Sequence, residues 1–165
     1  MTMITTCQIC GRAIQANTGR IALHGYRRPH QGWQTRSCFG ARFQPYEVAC
    51  DALPKAIELT EGWLESNTEH LAKLRSDPPA ELNVARASAY KPRPEPRMVP
   101  RPEGFNTSKR PPAYYPGSYE GAYWSQVNDT EHAIRDMQEQ VKFLRERLAK
   151  WIDPATNREE VMRSA

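Results

Sequence analysis

No apolar run in this chain approaches the ~18 residues that a membrane-crossing helix needs, so a helical membrane span is excluded. The opening MTMITTCQIC lacks a basic segment followed by an apolar one, so no secretory signal is expected. Enzyme signatures are missing as well. There is no His-x-Glu with Pro-Cys-x2-Cys, no His-Glu-x2-His, no phosphate-binding loop and no Gly-x-Ser-x-Gly. His30, His70 and His132 have no evident catalytic partners. The expectation is a non-enzymatic protein that binds. Hydrophobic residues make up 39% of the 165, too few for one large core, yet their spacing is too regular for a disordered chain.

Acidic residues are scarce at the start. Residues 1–52 carry six Arg against Glu47 and Asp51, a net +4. Residues 78–116 carry another +4, while 53–77 and 117–165 are each −2. Two basic segments between mildly acidic ones hint at a polyanionic partner.

Without a secretory signal the chain is expected in the cytoplasm, where thiols stay reduced and clustered cysteines hold metal rather than disulfides. Cys7-Gln8-Ile9-Cys10 is a C-x2-C turn, which lets two thiolates reach one ion. Gly11 follows and can take the positive φ such a turn requires. Two further ligands must come from His24, His30, Cys38 and Cys50. His24 and Cys38 are favoured, since they leave thirteen residues in each intervening loop. The predicted site is therefore zinc held by Cys7, Cys10, His24 and Cys38, four protein ligands with no open catalytic position. Cys50 is the rival fourth ligand, through an all-cysteine site. Ile21 and Leu23 alternate as in a short strand with His24 at its end, and Trp33–Ser37 reads as its hairpin partner.

Arg27, Arg28, Arg36 and Arg42 interleave with Tyr26, Trp33, Phe39 and Phe43, a pairing of phosphate-binding and stacking groups suited to single-stranded nucleic acid. A competing reading assigns Trp33, Phe39 and Tyr46 to the small core of the module, with the arginines merely solvated.

The pattern Cys7-x2-Cys10-Gly11, His24-Gly25-Tyr26, Arg28-Pro29, Gly32-Trp33, Cys38-Phe39-Gly40 and Pro45-Tyr46-Glu47-Val48 resembles a set of short, functionally uncharacterised proteins of tailed bacteriophages and prophages. The resemblance covers the first fifty residues, and more loosely the helical arrangement behind them. It implies a phage or prophage origin, a zinc-binding module, residence in the bacterial host cytoplasm, and His24 as ligand rather than His30 or Cys50. It implies no activity.

Behind the module, Ile57, Leu64 and Leu71 recur every seventh residue, with Leu53, Thr60, Asn67 and Leu74 at the companion positions. This predicts a helix over 53–76, with Trp63 broadening its seam and Ser76-Asp77-Pro78-Pro79 ending it. Val127, Ile134, Val141 and Leu148, with Thr130, Met137, Leu144 and Trp151, predict a second and longer helix that ends at Asp153-Pro154. Between them, ten of the fourteen prolines fall in residues 78–116, an extended excursion in which Leu82, Val84 and Met98-Val99 suggest two short strands. Packing of this arm on the helices is expected through Phe105, Tyr114 and Tyr115.

The predicted fold is α+β. A zinc-stapled β-hairpin module (1–52) precedes a long antiparallel, coiled-coil-like helical hairpin (53–77 and 117–154). A Pro-rich basic arm (78–116) lies between the helices, and a tail (155–165) follows. The expected partner is nucleic acid, at the module and the arm. The alternative is an adaptor or inhibitor that grips a host protein through its helical seam. Because the second helix outruns the first, its surplus seam also suggests a homodimer.

Overall fold

In the computed structural model, the described residues are 4–16, 19–27, 34–84, 97–108, 110 and 117–154. They build three two-stranded antiparallel ladders and two long helices, an α+β chain. The elements are β1 (Ile4–Thr6), β2 (Ala13–Gln15), β3 (Gly25–Arg27), β4 (Gln34–Ser37), α1 (Ala52–Ser76), β5 (Glu81–Asn83), β6 (Met98–Pro100) and α2 (Tyr119–Ala149). Among the described residues no helix is long and apolar enough to cross a membrane.

The chain divides into two compact units, and both helices contribute to both. One comprises Met1–Trp63 with Met137–Ala165, the other Leu64–Asp136.

In the first unit, β1 pairs with β2 in the register Ile4↔Gln15, Thr5↔Ile14 and Thr6↔Ala13. The C-x2-C turn is thus the tip of a hairpin that the sequence pattern does not announce, because strands of three residues are too short to display alternation. The expected second hairpin is present, but its first strand begins after His24 instead of ending on it: Gly25 pairs with Ser37 and Arg27 with Gln34. Upstream of it, Ile21 forms its own bridge, its N–H donating to the Phe43 carbonyl at 2.9 Å while Arg42 N–H donates to the Ile21 carbonyl at 2.8 Å. Ile21 is therefore buried, and Leu23 is left 67% exposed.

The core of this unit joins Cys7, Ile9, Cys10, Ile21 and Cys38 to Ala52, Leu53 and Ala56 of α1 and Leu144 of α2. Phe43 and Tyr46 pack on its edge. Fully buried Gln8 ties the hairpin tip to α1. Its carboxamide oxygen accepts from Ala52 N–H at 2.9 Å, one of the otherwise unpaired donors of a helix start, and its NH2 donates to Gln44 O and Asp51 Oδ1, both at 2.9 Å. Glu61 and Arg145 form an exposed ion pair at 2.5 Å.

In the second unit, Leu82 faces Val99 across the β5–β6 ladder, as the sequence suggested. Phe105 stands edge-on to Tyr119 and Tyr123, at centroid distances of 5.0 and 4.9 Å. Both tyrosines are buried, and burial raises both pKa values. Their hydroxyls donate to the Pro79 and Leu74 carbonyls, the latter at 3.1 Å, which closes the end of α1. The Ser118 hydroxyl accepts from Gly121 N–H at 3.0 Å and caps α2.

Most heptad positions of both helices are buried or half-buried, including polar Thr60 and Thr130, whose hydroxyls donate to carbonyls one turn back. Trp63 departs from expectation. It is 60% exposed and does not broaden the seam, because its position next to the heptad carries it round to the outer face. α2 stops at Ala149 rather than at Asp153-Pro154, since Trp151 turns aside to donate its indole N–H to the Tyr46 carbonyl at 2.8 Å. Tyr114, Tyr115 and the Lys91–Arg97 proline run up to Pro96 lie outside the described residues, as does the tail from 155.

Candidate metal centre

The turn after β1 folds back on itself. Cys7 N–H donates to Arg12 O at 2.9 Å and Gly11 N–H to Cys7 O at 3.0 Å, with Gly11 at φ 68°. Only a residue that tolerates the left-handed region closes this turn without strain. Both thiols then point inward, Cys7 at 0% and Cys10 at 9% exposure.

The other half comes from the chain on either side of the β3–β4 ladder. Cys38 N–H donates to the His24 carbonyl at 2.9 Å, so the two residues are neighbours across the base of that hairpin. Gly40 lets the turn after Cys38 approach: a Cβ there would lie 2.4 Å from Cys7 Sγ and 3.0 Å from Ile9 Cγ1. His24 Nδ1 lies 2.8 Å from the Ala22 carbonyl. That acceptor places the ring proton on Nδ1 and leaves the Nε2 lone pair facing the cysteines.

Cys7, Cys10, His24 and Cys38 each present one ligand atom, and all four atoms lie within 4.8 Å of one another. Cys7 Sγ is 3.8 Å from Cys38 Sγ, and Cys10 Sγ is 3.3 Å from His24 Nε2. Tetrahedral zinc, with Zn–S about 2.3 Å and Zn–N about 2.0 Å, requires S–S edges of about 3.8 Å and S–N edges of about 3.5 Å. Two edges of the cluster therefore already have tetrahedral dimensions. No disulfide forms: all four cysteines are free thiols.

Electrostatics favour a cation in this space. Hydrogen bonds from Cys38 and Cys7, aided by Arg12, hold the Cys10 thiol far below its ordinary pKa despite its burial. The same contact with Cys10 drives the Cys38 thiol well up, and the Cys7 thiol rises for the same reason. A divalent cation would displace the thiol protons and take all three sulfurs as ligands.

Cys50 lies apart from the cluster. It is half-buried at the edge of the core, and its carbonyl accepts from Leu53 N–H at 3.0 Å at the start of α1. His30 lies outside the described residues, as does Arg28. Arg27 and Arg36 sit in β3 and β4, their side chains outside the described set. Arg42 is exposed and adopts φ 70°, and the exposed Arg20 donates to its carbonyl at 3.2 Å. Sequence reasoning passes over Arg20, Arg12 and Arg147. Arg20 offers a signal, a basic residue beside the Ile21 strand. Arg147 offers none, standing 140 residues from Cys7.

No protein family, curated protein or solved structure matches this chain.

Proposed function

We propose that the chain is a non-enzymatic zinc protein whose metal folds a basic binding module, and that this module contacts single-stranded nucleic acid. One observation carries the metal reading: three thiols and an imidazole, from three separate stretches of chain, converge within 4.8 Å. Three thiolates and one imidazole suit zinc, and four protein ligands leave no site for a reactive water. That argues for structure and against catalysis.

The nucleic-acid reading rests on charge and exposure. Glu47 and Asp51 are the only acids in residues 1–52, and both are engaged. The Glu47 carboxylate accepts from Thr6 N–H at 3.0 and 3.1 Å, and Asp51 accepts from Gln8. Arg20 and Arg42 stand exposed and joined by a hydrogen bond, and Phe39, itself 42% exposed, lies 5.4 Å from Phe43, the residue after Arg42. Arginines for phosphates beside an open ring for stacking suit a single strand. The phage or prophage origin implied by the N-terminal pattern belongs to the same proposal, as does the reading of the helices as an antiparallel hairpin, which the buried heptad positions support.

A second reading has its own observation. Leu59 and Trp63, one turn apart on α1, are 46% and 60% exposed, an apolar pair suited to a protein partner. An adaptor or inhibitor of a host protein would use them.

The deciding experiment has two parts. Purified chain should carry one zinc, lost in His24→Ala and retained in Cys50→Ala. Loaded chain should bind a fluorescent single-stranded oligonucleotide with an affinity that falls with salt, and Arg20→Ala/Arg42→Ala should flatten that salt slope by about 0.7 for each phosphate no longer neutralised. Zinc lost with Cys50→Ala would overturn the ligand set. Zinc-loaded chain that ignores the oligonucleotide at low salt, but loses a protein partner through Leu59→Ala/Trp63→Ala, would favour the adaptor.

A further inference from the structure

The C-x2-C turn presents backbone carbonyls, those of Cys7 and Gln8 among them, to groups outside the turn. Two of these carbonyls are taken by one side chain from the far end of the chain. Arg147, near the end of α2, donates from Nε to Gln8 O at 2.9 Å and from Nη2 to Cys7 O at 3.2 Å. Its guanidinium lies 4.0 Å over the Tyr46 ring and 5.6 Å from that of Phe143. The Tyr46 hydroxyl donates back to the Arg147 carbonyl at 2.6 Å. Even the turn glycine is covered: a Cβ on Gly11 would lie 3.2 Å from Arg147 Nη1 and 3.4 Å from Phe143 Cζ.

We infer that Arg147 is the positioning residue of the metal knuckle, and that metal binding and the docking of the last turns of α2 are one linked equilibrium. The inference rests on the zinc reading above. The fork fixes the peptide planes of Cys7 and Gln8, which aim the first thiolate and the turn that follows it. Its charge also matters. Three thiolates and an imidazole around a dication carry a net −1 in a buried place, and a held guanidinium offsets it. Partners of this outer kind set metal affinity by about 10–100-fold. Linkage is reciprocal, so whatever Arg147 lends to the metal, the metal lends to residues 143–149. Lysine replaces its charge but not its fork, since a single ammonium does not span two carbonyls in a fixed geometry.

The test compares Arg147→Ala, Arg147→Lys and Arg145→Ala with wild type. Arg145 is the control, on the same helix and of the same charge but paired with Glu61 in solvent. Zinc affinity is read by competition with a chromophoric chelator, and ligand geometry by the thiolate-to-metal absorption of the cobalt(II) form. Arg147→Ala should weaken zinc about 10–100-fold and shift the cobalt spectrum, Arg147→Lys should recover part of the affinity, and Arg145→Ala should change neither. On the wild type alone, zinc should slow amide exchange in 143–149 over the same concentration range as in 7–12. Equal zinc affinity in Arg147→Ala and Arg145→Ala would overturn the inference while the zinc reading stands. So would exchange in 143–149 that ignores zinc. A wild type that takes no metal overturns both.

Discussion

Tyr46 and Arg147 hold each other twice. The guanidinium carbon of Arg147 lies 4.0 Å over the Tyr46 ring, and the Tyr46 hydroxyl donates to the Arg147 carbonyl at 2.6 Å. The pair is 101 residues apart in sequence and closes the first unit between the stretch before α1 and the end of α2. Trp151 adds a third tie through its bond to the Tyr46 carbonyl.

Tyr46→Phe keeps the ring under the guanidinium and removes only the hydroxyl. The first unit should lose about 0.5–1.5 kcal/mol, the usual net worth of one such bond. Tyr46→Ala should lose more, because stacking and packing go with it. Urea unfolding of the two variants measures the difference, and equal losses would show that the hydroxyl carries all of the effect.

Two glycines should respond in opposite directions to alanine. At Gly40 the new methyl would meet Cys7 Sγ at 2.4 Å, so Gly40→Ala should destabilise by about 1–3 kcal/mol and loosen metal binding. At Gly62, inside α1, nothing lies within 4 Å, and Gly62→Ala should stabilise by about 0.5–1 kcal/mol. Thermal melts of both variants decide the matter.

Metal removal should expose thiols in a fixed pattern. With the cluster loaded, a thiol reagent should modify half-buried Cys50 and spare Cys7, Cys10 and Cys38. After chelation all four should react, and the first unit should melt at a lower temperature. Four reactive thiols in zinc-loaded protein would contradict the centre.

Acid should weaken the first unit partly through Glu47. Burial alone would raise its pKa, but the hydrogen bonds from Thr6 and the nearby charge of Arg147 win and hold it below 4.5. A depressed carboxyl pKa contributes stability that is present above 4.5 and is lost as pH falls through the folded-state value. Glu47→Gln should therefore lower stability at neutral pH and flatten the stability curve below pH 4.5. A variant curve parallel to wild type through that range would remove Glu47 from the account.

Local periodicity is readable wherever it runs long. The heptads at Ile57–Leu71 and Val127–Leu148 lie within α1 and α2, and Leu82 and Val99 do meet across a ladder. The three-residue hairpin around the C-x2-C turn is not readable, nor is the shift of a strand from before His24 to after it. Such short strands are set by a few hydrogen bonds and by what they must bring together, not by alternation. Trp63 shows the opposite case, a large apolar side chain expected to broaden the seam that the fold leaves 60% exposed.

Chain order narrows the groups that could gather at the candidate centre to Cys7 and Cys10 with two of His24, His30, Cys38 and Cys50. The C-x2-C turn with its glycine is a local device, and equal loops of thirteen residues point to His24 and Cys38. How that centre is held came from tertiary packing. Packing set Gly40 against Cys7, gave the His24 proton an acceptor at Ala22, left Cys50 outside, and brought Arg147 onto the Cys7 and Gln8 carbonyls. The physical reason is range. Turn chemistry and helical period act over a few residues and are written in order along the chain, whereas a guanidinium meeting two carbonyls 139 and 140 positions away depends on how whole elements pack.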